Sequence, residues 1–360
     1  MHMHCMCVCG EKKSRARAGH SASDSMSATY LAAAAQRASD SMSDTAAAAQ
    51  RAVDAGNSPK PADSPAPKRA ALREPREPLR ERVAAGSLVE LTDTLLGEGA
   101  TSQVWLGHFG PQRLEVAAKV VSKAGLGKDE IKWFREEIAI HKKLRHPNIC
   151  MLHGAFEDLK KFTMVLSLCR GGSLCDTMGR ALVSGEPLSE ALVRHAFVQL
   201  LAALRHCHGL GIVHRDVKLE NCCWTTREER TLQLIDFGYA STTDVHTAFS
   251  GSAHYAAPEM HAADAHGGPP FSCARADVWS AGVCLFAMLA TQLPFGGEEE
   301  TAEERDALRA KVMAGAWDTL PDERSDDALE LVSGMLCVDP AERSTLNEVA
   351  ATPWVVGAGG

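Results

Sequence analysis

The eight residues His214-Arg215-Asp216-Val217-Lys218-Leu219-Glu220-Asn221 constrain this chain most. They crowd a carboxylate, a point cation and an amide into a stretch with neither helical nor strand periodicity. Such a segment is a loop built for chemistry, and the surrounding fold has to hold it still. Asp216 offers a carboxylate, Lys218 a positive charge two residues on, and Asn221 an amide oxygen suited to a hard cation. Asp236-Phe237-Gly238, a second carboxylate followed by a hinge-capable glycine, stands 15 residues beyond Asn221. The flanks read as rigid supports. Ser189 is an N-cap with Glu190 in the first turn, and Leu192, Phe197, Leu200, Leu201 and Leu204 mark the apolar face of a long helix leading into the loop. Thr231 to Ile235 reads as a short strand aimed at Asp236.

Charge divides the chain. The net charge of -8 combines a tail, residues 1–86, holding 13 Lys/Arg against 9 Asp/Glu, with a remainder holding 25 against 37. An acidic domain argues against general nucleic-acid binding and favours basic peptide partners. The 12 cysteines are scattered and form no C-x-x-C pair, so they read as reduced thiols, mostly buried. The N-terminus lacks an apolar core of signal-peptide length, which places the protein in the cytoplasm or nucleus, although an Arg- and Ser-rich start leaves an organellar transit peptide open. Residues 278–297 are long and uncharged enough to suggest a membrane span, but Ser280, Thr291, Gln292 and Pro294 make a buried core helix the better reading. No membrane partner is expected.

Residues 1–86, rich in Ala, Ser, Pro and Arg, are expected to be a disordered tail. Within it residues 23–38 recur as 39–52, too few copies for a solenoid. The cluster His2, His4, Cys5, Cys7 and Cys9 lacks paired metal-ligand spacing. Order should begin near Leu88, where a strand turns through Gly97-Glu98-Gly99-Ala100-Thr101-Ser102-Gln103-Val104 and returns. A loop over phosphates needs backbone N–H groups close to oxygen, which glycines permit. The apolar strand Val116 to Val121 follows, with Lys119 inside it, where an idle charge would be costly. Residues 129–145 read as a helix ending before His146-Pro147. Residues 162–169 read as a strand running into Arg170-Gly171-Gly172.

Taken in order, these motifs resemble a eukaryotic protein kinase of the serine/threonine type over residues 91–355, with Ala256-Ala257-Pro258-Glu259, Asp277-Val278-Trp279-Ser280, Asp339 to Arg343 and Pro353-Trp354 completing the array. The segments 251–259 and 335–354 look most like the calcium/calmodulin-dependent kinase group. The resemblance implies an α+β bilobal fold across residues 88–356. A small antiparallel sheet with one helix (about 88–166) would sit above a mainly helical lobe (about 170–356), with ATP between them.

The resemblance also implies roles. Lys119, held by Glu137 rather than by the neighbouring Glu136, would orient ATP phosphates beneath the loop Leu96, Gly97, Glu98, Gly99, Ala100, Thr101, Ser102 and Val104. Ala117, the gatekeeper Leu166 and the backbone of Ser167, Leu168 and Cys169 would meet adenine. Asn221 and Asp236 would hold Mg²⁺, Asp216 would receive the acceptor proton, and Lys218 would offset charge on the transferred group. Ser102 stands where the family has a third glycine, so a stiffer loop tip is expected. Ala248 occupies the usual phosphothreonine slot, which leaves Thr247 as the expected target of an upstream kinase, its phosphate pairing with Arg215. Glu220 and the run Glu298, Glu299, Glu300, Glu303 and Glu304 suggest protein substrates with basic residues near the acceptor, although Ser173 and Ala287 stand where the family has further acids. A pseudokinase scaffold and a small-molecule phosphotransferase are the alternatives. The intact Lys119, Asp216, Asn221 and Asp236 disfavour the first, and the complete 251–259 segment disfavours the second.

Overall fold

The computed structural model describes residues 80–83, 87–98, 101–228, 230–264, 268–296 and 301–357. The tail duplication and the His2–Cys9 cluster lie outside the described residues, as do Gly99, Ala100 and Glu298 to Glu300.

The first lobe is a six-stranded antiparallel sheet. Its strands are β1 (Arg80–Val83), β2 (Ser87–Glu98), β3 (Ser102–Phe109), β4 (Leu114–Ser122), β5 (Leu152–Glu157) and β6 (Lys161–Ser167), ordered β1-β2-β3-β4-β6-β5. Period-two alternation puts Val116 and Ala118 of β4 into a small core with Val89, Leu91 and Val165. Lys119 therefore projects from the opposite face of a central strand, paired with Val104 on one side and Met164 on the other. Helix α1 (Lys128–His141) packs through Phe134 on Phe162, ring centroids 5.8 Å apart.

Three expectations need correction. β1 falls inside the stretch expected to be a disordered tail; it pairs Arg80 with Glu90 through to Val83 with Ser87. Edge pairing needs only main-chain donors and acceptors, which composition does not reveal. Helix α1 ends at His141, not 145. Its last turn tightens to Lys143 N–H on the Ile140 carbonyl (2.9 Å) and Leu144 N–H on His141 (3.1 Å), which carries Leu144 into the core. The β6 strand stops at Ser167, so Leu168 and Cys169 belong to the connection between lobes.

The second lobe gathers β7 (Gly172–Ser173), α2 (Leu174–Ser184), α3 (Glu190–Gly209), β8 (Cys222–Trp224), β9 (Leu232–Leu234), β10 (Val245–His246), α4 (Pro258–Asp264), β11 (Phe271–Ser272), α5 (Cys273–Ala290), α6 (Ala302–Ala314), α7 (Asp326–Met335), α8 (Leu346–Ala351) and α9 (Pro353–Val356). Ser189 caps α3 by accepting from Leu192 N–H at 3.3 Å. Helix α5 is apolar and long enough to cross a membrane, yet 83% of it is enclosed by the lobe, where α3 and α7 cover it. That burial on all sides accounts for its lack of an amphipathic stripe. The small sheet β7-β8-β9 sends Cys222 and Trp224 of β8 into the helical core and turns Cys223 to the cleft.

Candidate active site

The loop between α3 and β8 is locked from below by one carboxylate. Asp277 of α5, 1% exposed, accepts from the backbone N–H of His214 (2.9 Å) and of Arg215 (2.8 Å), and from His208 Nε2 (2.8 Å). Burial raises the cost of its charge, but these donors outweigh it and keep the carboxyl below the usual range. So held, Arg215 adopts φ 67° and Asp236 φ 56°, left-handed conformations uncommon outside glycine. Phe237 is fully buried between the rings of His141 (4.8 Å) and His214 (4.9 Å), which anchors the Asp236 turn to both lobes. The His214 ring donates from Nε2 to the Ile235 carbonyl (3.2 Å) and accepts at Nδ1 from Asp216 N–H (3.3 Å).

Around Asp216 the side chains form a closed network. Its carboxylate, 2.9 Å from Lys218 Nζ, accepts from Asn221 Nδ2 at 3.0 Å and from Ser252 Oγ at 3.1 Å, and Lys218 also donates to Ser252 Oγ at 2.9 Å. Asn221 gives a second bond from Nδ2 to the Asp216 carbonyl (2.9 Å), so its amide nitrogen is committed and its oxygen is turned to a different direction. Gly251, at φ 97°, lets the segment close on the loop. A Cβ there would meet the Arg215 carbonyl oxygen at 2.6 Å.

A cleft of about 450 Å³ opens between the lobes. Its roof is Leu96, Gly97, Glu98, Ser102 and Val104; its back wall is Ala117, Lys119, Glu137 and Leu166; its outer edge is Ser167, Leu168 and Cys169. Asp236 closes the far end. Thr101 is described but does not border it. Asp216, Lys218 and Asn221 form the separate cluster already described, tied to the cleft by Ile235 N–H on the Asn221 carbonyl at 2.8 Å. A larger cavity of about 660 Å³ lies elsewhere, among Arg205, His206, Arg275 and Asn347, and none of these acid, amide or lysine groups borders it.

Lys119 Nζ stands 2.8 Å from Glu137 Oε1 and 3.0 Å from Asp236 Oδ1. Burial works against its charge, but attraction to Glu137 and Asp236 outweighs it and holds the ammonium above its usual pKa. Burial pushes the Glu137 carboxyl up against the pull of Lys119. Asp236 is lowered because Lys119 overcomes its burial, while nearly half of its side chain remains open to the cleft. Glu136 instead points outward toward Lys132, 3.7 Å away. Ser102 opens β3 opposite Val121 without a positive φ, so the missing glycine imposes no strain at that residue.

Along the edge, Ser167 N–H is taken by the Met151 carbonyl (2.9 Å), whereas among the described residues no backbone bond engages Leu168 or Cys169. Those groups are left unspent at the border of the cleft. Asp236 and Asn221 supply two hard oxygens, fewer than an all-protein cage and suited to a Mg²⁺ that takes its remaining ligands from phosphate and water.

Several participants were not singled out in the sequence. His141, Cys150, Cys223 and Ile235 also line the cleft, and Ser252 joins the Asp216 network. Arg343, wholly buried, makes a two-pronged bond to Glu259 at 2.7 and 2.8 Å, which pins the end of the 251–259 segment to the helical lobe. Asp277 and Arg343 stood in the motif array, but their partners were not legible because they lie 62 to 84 residues away.

Comparison with known proteins accords with this arrangement. The protein kinase domain profile matches residues 91–355. CBL-interacting protein kinase 16 of Oryza sativa is 34% identical over 269 residues, covering 72% of this chain and 55% of the relative. Maternal embryonic leucine zipper kinase of Danio rerio is 34% identical over 266 residues, 72% of this chain and 37% of the relative. Calcium/calmodulin-dependent protein kinase type II of Caenorhabditis elegans is 32% identical over 271 residues, 72% of this chain and 35% of the relative. The chain thus spans about half the length of the first of these relatives and about a third of the other two.

Proposed function

Because this chain belongs to the protein kinase family, we propose that it is an ATP-dependent protein serine/threonine kinase, residues 88–356 forming the catalytic domain behind an N-terminal tail. The observation that carries this reading is the convergence of Glu137 and Asp236, from two distant segments, on Lys119 Nζ, at 2.8 and 3.0 Å, at the inner end of the cleft.

In the reaction, the bond between the γ-phosphorus and the β–γ bridging oxygen of ATP breaks as the substrate hydroxyl oxygen bonds to that phosphorus. Lys119 orients the α and β phosphates. Asp216 aligns the hydroxyl and takes its proton, and Lys218, already 2.9 Å from Asp216, offsets charge on the phosphoryl oxygens in flight. Asn221 and Asp236 would hold Mg²⁺, which when bound neutralises phosphate charge. Fixed positioning is the main contribution of the protein, since such networks need no reorganisation at the moment of transfer.

The test is transfer of labelled phosphate from ATP to a mixed peptide substrate. Asp236→Ala should abolish transfer while retaining the wild-type circular dichroism spectrum. Transfer undiminished in that variant would defeat the assignment.

Two finer readings accompany it. Phosphorylation of exposed Thr247 by an upstream kinase orders the loop through Arg215, whose Nε is buried with no hydrogen-bond partner among the described residues and whose charge already reaches His246. Equal activity of Thr247→Ala and the phosphorylated protein would reject it. Substrates carry basic residues near the acceptor, drawn by Glu220, whose carboxylate accepts from Tyr255 at 3.3 Å, and by Glu303. Glu304 contributes less, its carboxylate being occupied by Thr301 N–H at 2.9 Å. A peptide library without Arg or Lys enrichment would remove this preference. The protein acts in the cytoplasm or nucleus on this reading, which a fluorescent fusion of the full chain tests.

A further inference from the structure

Three thiols meet at the edge of the cleft. Cys150 precedes β5, Cys169 lies in the connection between lobes, and Cys223 sits in β8; all three line the cavity. Backbone pairing brings them there. Cys150 N–H bonds the Leu234 carbonyl at 3.0 Å, and Cys223 pairs with Gln233 across β8 and β9. Cys169 Sγ then lies 3.5 Å from Gln233 Oε1, and Cys150 Sγ lies 3.4 Å from the Ser167 carbonyl. Cys150 and Cys169 are thereby neighbours at one edge of the cavity, the Cys150 thiol donating to the Ser167 carbonyl two residues before Cys169. Cys223 is turned to a different acceptor, the Glu220 carbonyl at 3.7 Å.

We propose that Cys150 and Cys169 are a modification site, forming a reversible disulfide that closes the adenine end of the cleft when the protein meets a peroxide. Their exposures assign the order of events. Cys169 is half-buried and reachable from the cleft, while Cys150, 3% exposed, waits behind it. The Cys169 sulfur, as thiolate, attacks one peroxide oxygen, the O–O bond breaks, and hydroxide leaves to take up the thiol proton as water. Cys169 is then a sulfenic acid. The Cys150 sulfur attacks it, the S–O bond breaks, and the second water carries away the Cys150 proton. Two thiols have given two electrons to one peroxide, and a small thiol reductant restores them by exchange. The neighbouring thiol supports the first step, since the presence of Cys150 holds the Cys169 thiol low against the effect of its burial. Burial and the charge of Cys169 hold Cys223 up, which disfavours it as the attacking group.

The consequence follows from where Cys169 sits. Its backbone, like that of Leu168, has no backbone hydrogen-bond partner among the described residues. Bonding its side chain to Cys150 pulls that edge out of the position in which it could meet a purine. This inference rests on the cleft being the nucleotide site, but the cross-link itself can be read without nucleotide.

The experiment treats the full chain with hydrogen peroxide, maps disulfides by mass spectrometry without reduction, and titrates a fluorescent ATP analogue before and after, then again after dithiothreitol. The expected result is a Cys150–Cys169 linked peptide, an affinity loss of at least tenfold that the reductant reverses, and slower cross-linking with ATP already bound. Relative to its own untreated protein, Cys169→Ser and Cys150→Ser should each lose the sensitivity, and Cys223→Ser should keep it. Absence of the linked peptide overturns the proposal, as does a loss of affinity that persists in Cys169→Ser. A mapped cross-link with unchanged affinity overturns the switch. Untreated protein that fails to bind the analogue would strike the nucleotide reading instead, while the peptide map would still decide the thiol chemistry.

Discussion

Asp277 offers the sharpest test of how the fold holds its chemistry. In Asp277→Asn one acceptor oxygen becomes an NH₂ group. The two carboxylate oxygens now divide three donors, Oδ1 taking Arg215 N–H and Oδ2 taking His214 N–H and His208. Whichever way the amide turns, at least one buried N–H faces another donor. An unsatisfied buried donor costs about 1–3 kcal/mol, and the charge-assisted bonds that remain weaken as well, so the total is about 2–4 kcal/mol. For a domain of this size that lowers Tm by about 4–8 °C, within the usual stability reserve, so the variant should still fold. Asp277→Ala, which strands all three donors, should lose more, about 3–6 kcal/mol, and His208→Ala, which removes one donor and leaves both backbone bonds intact, about 1 kcal/mol. Because the two backbone donors immediately precede Asp216, Asp277→Asn should also lower kcat by about 10²-fold, the scale of an ångström's misplacement. Differential scanning calorimetry and steady-state kinetics read both effects. A Tm within 2 °C (about 1 kcal/mol or less) together with a kcat within about threefold of wild type would refute the reasoning, as would a reversed order of the three variants.

Other outcomes follow from the same structure. Burial holds His141 down to about 4, so the folded protein binds fewer protons there than the unfolded chain and stability should fall as pH drops from about 6.5 to 4. The slope from this group is at most about 1.4 kcal/mol per pH unit, and His141→Gln should flatten it in urea titrations across that range. Gly251→Ala has to relieve a 2.6 Å approach to the Arg215 carbonyl and a positive φ. It should cut kcat at least tenfold, about 1.4 kcal/mol, with little change in ATP KM, and an unchanged kcat would contradict the contact. Arg343→Met leaves Glu259 without its two-pronged partner, so it should destabilise by about 3–5 kcal/mol, whereas Arg343→Met with Glu259→Leu should recover most of that loss in a double-mutant comparison.

Local chemistry was legible in the chain wherever one segment carries it whole. The loop 214–221, the turn at Asp236 and the capped helix from Ser189 each follow from residues within a few positions of one another, because side-chain period, caps and glycines act at short range. Glu137 over Glu136 was legible only as a choice of helix face, and the structure gives the reason: Glu137 is 4% exposed against Lys119, and Glu136 faces water. The strand β1 was hidden because its pairing is main-chain edge to main-chain edge, and α1 stopped early because tertiary burial of Leu144 tightened its last turn.

By itself, then, the sequence determined which groups are available to do chemistry and in what order the strands and helices present them. Only the tertiary structure decided which of those groups meet. One carboxylate in α5 gathers the backbone of the loop, Ser252 closes on Asp216 from 36 residues away, and three cysteines scattered over 73 positions stand together at one edge of the cleft. The physical reason is that a buried donor, acceptor or thiol finds its partner through the packing of whole elements, and no spacing along the chain encodes that distance.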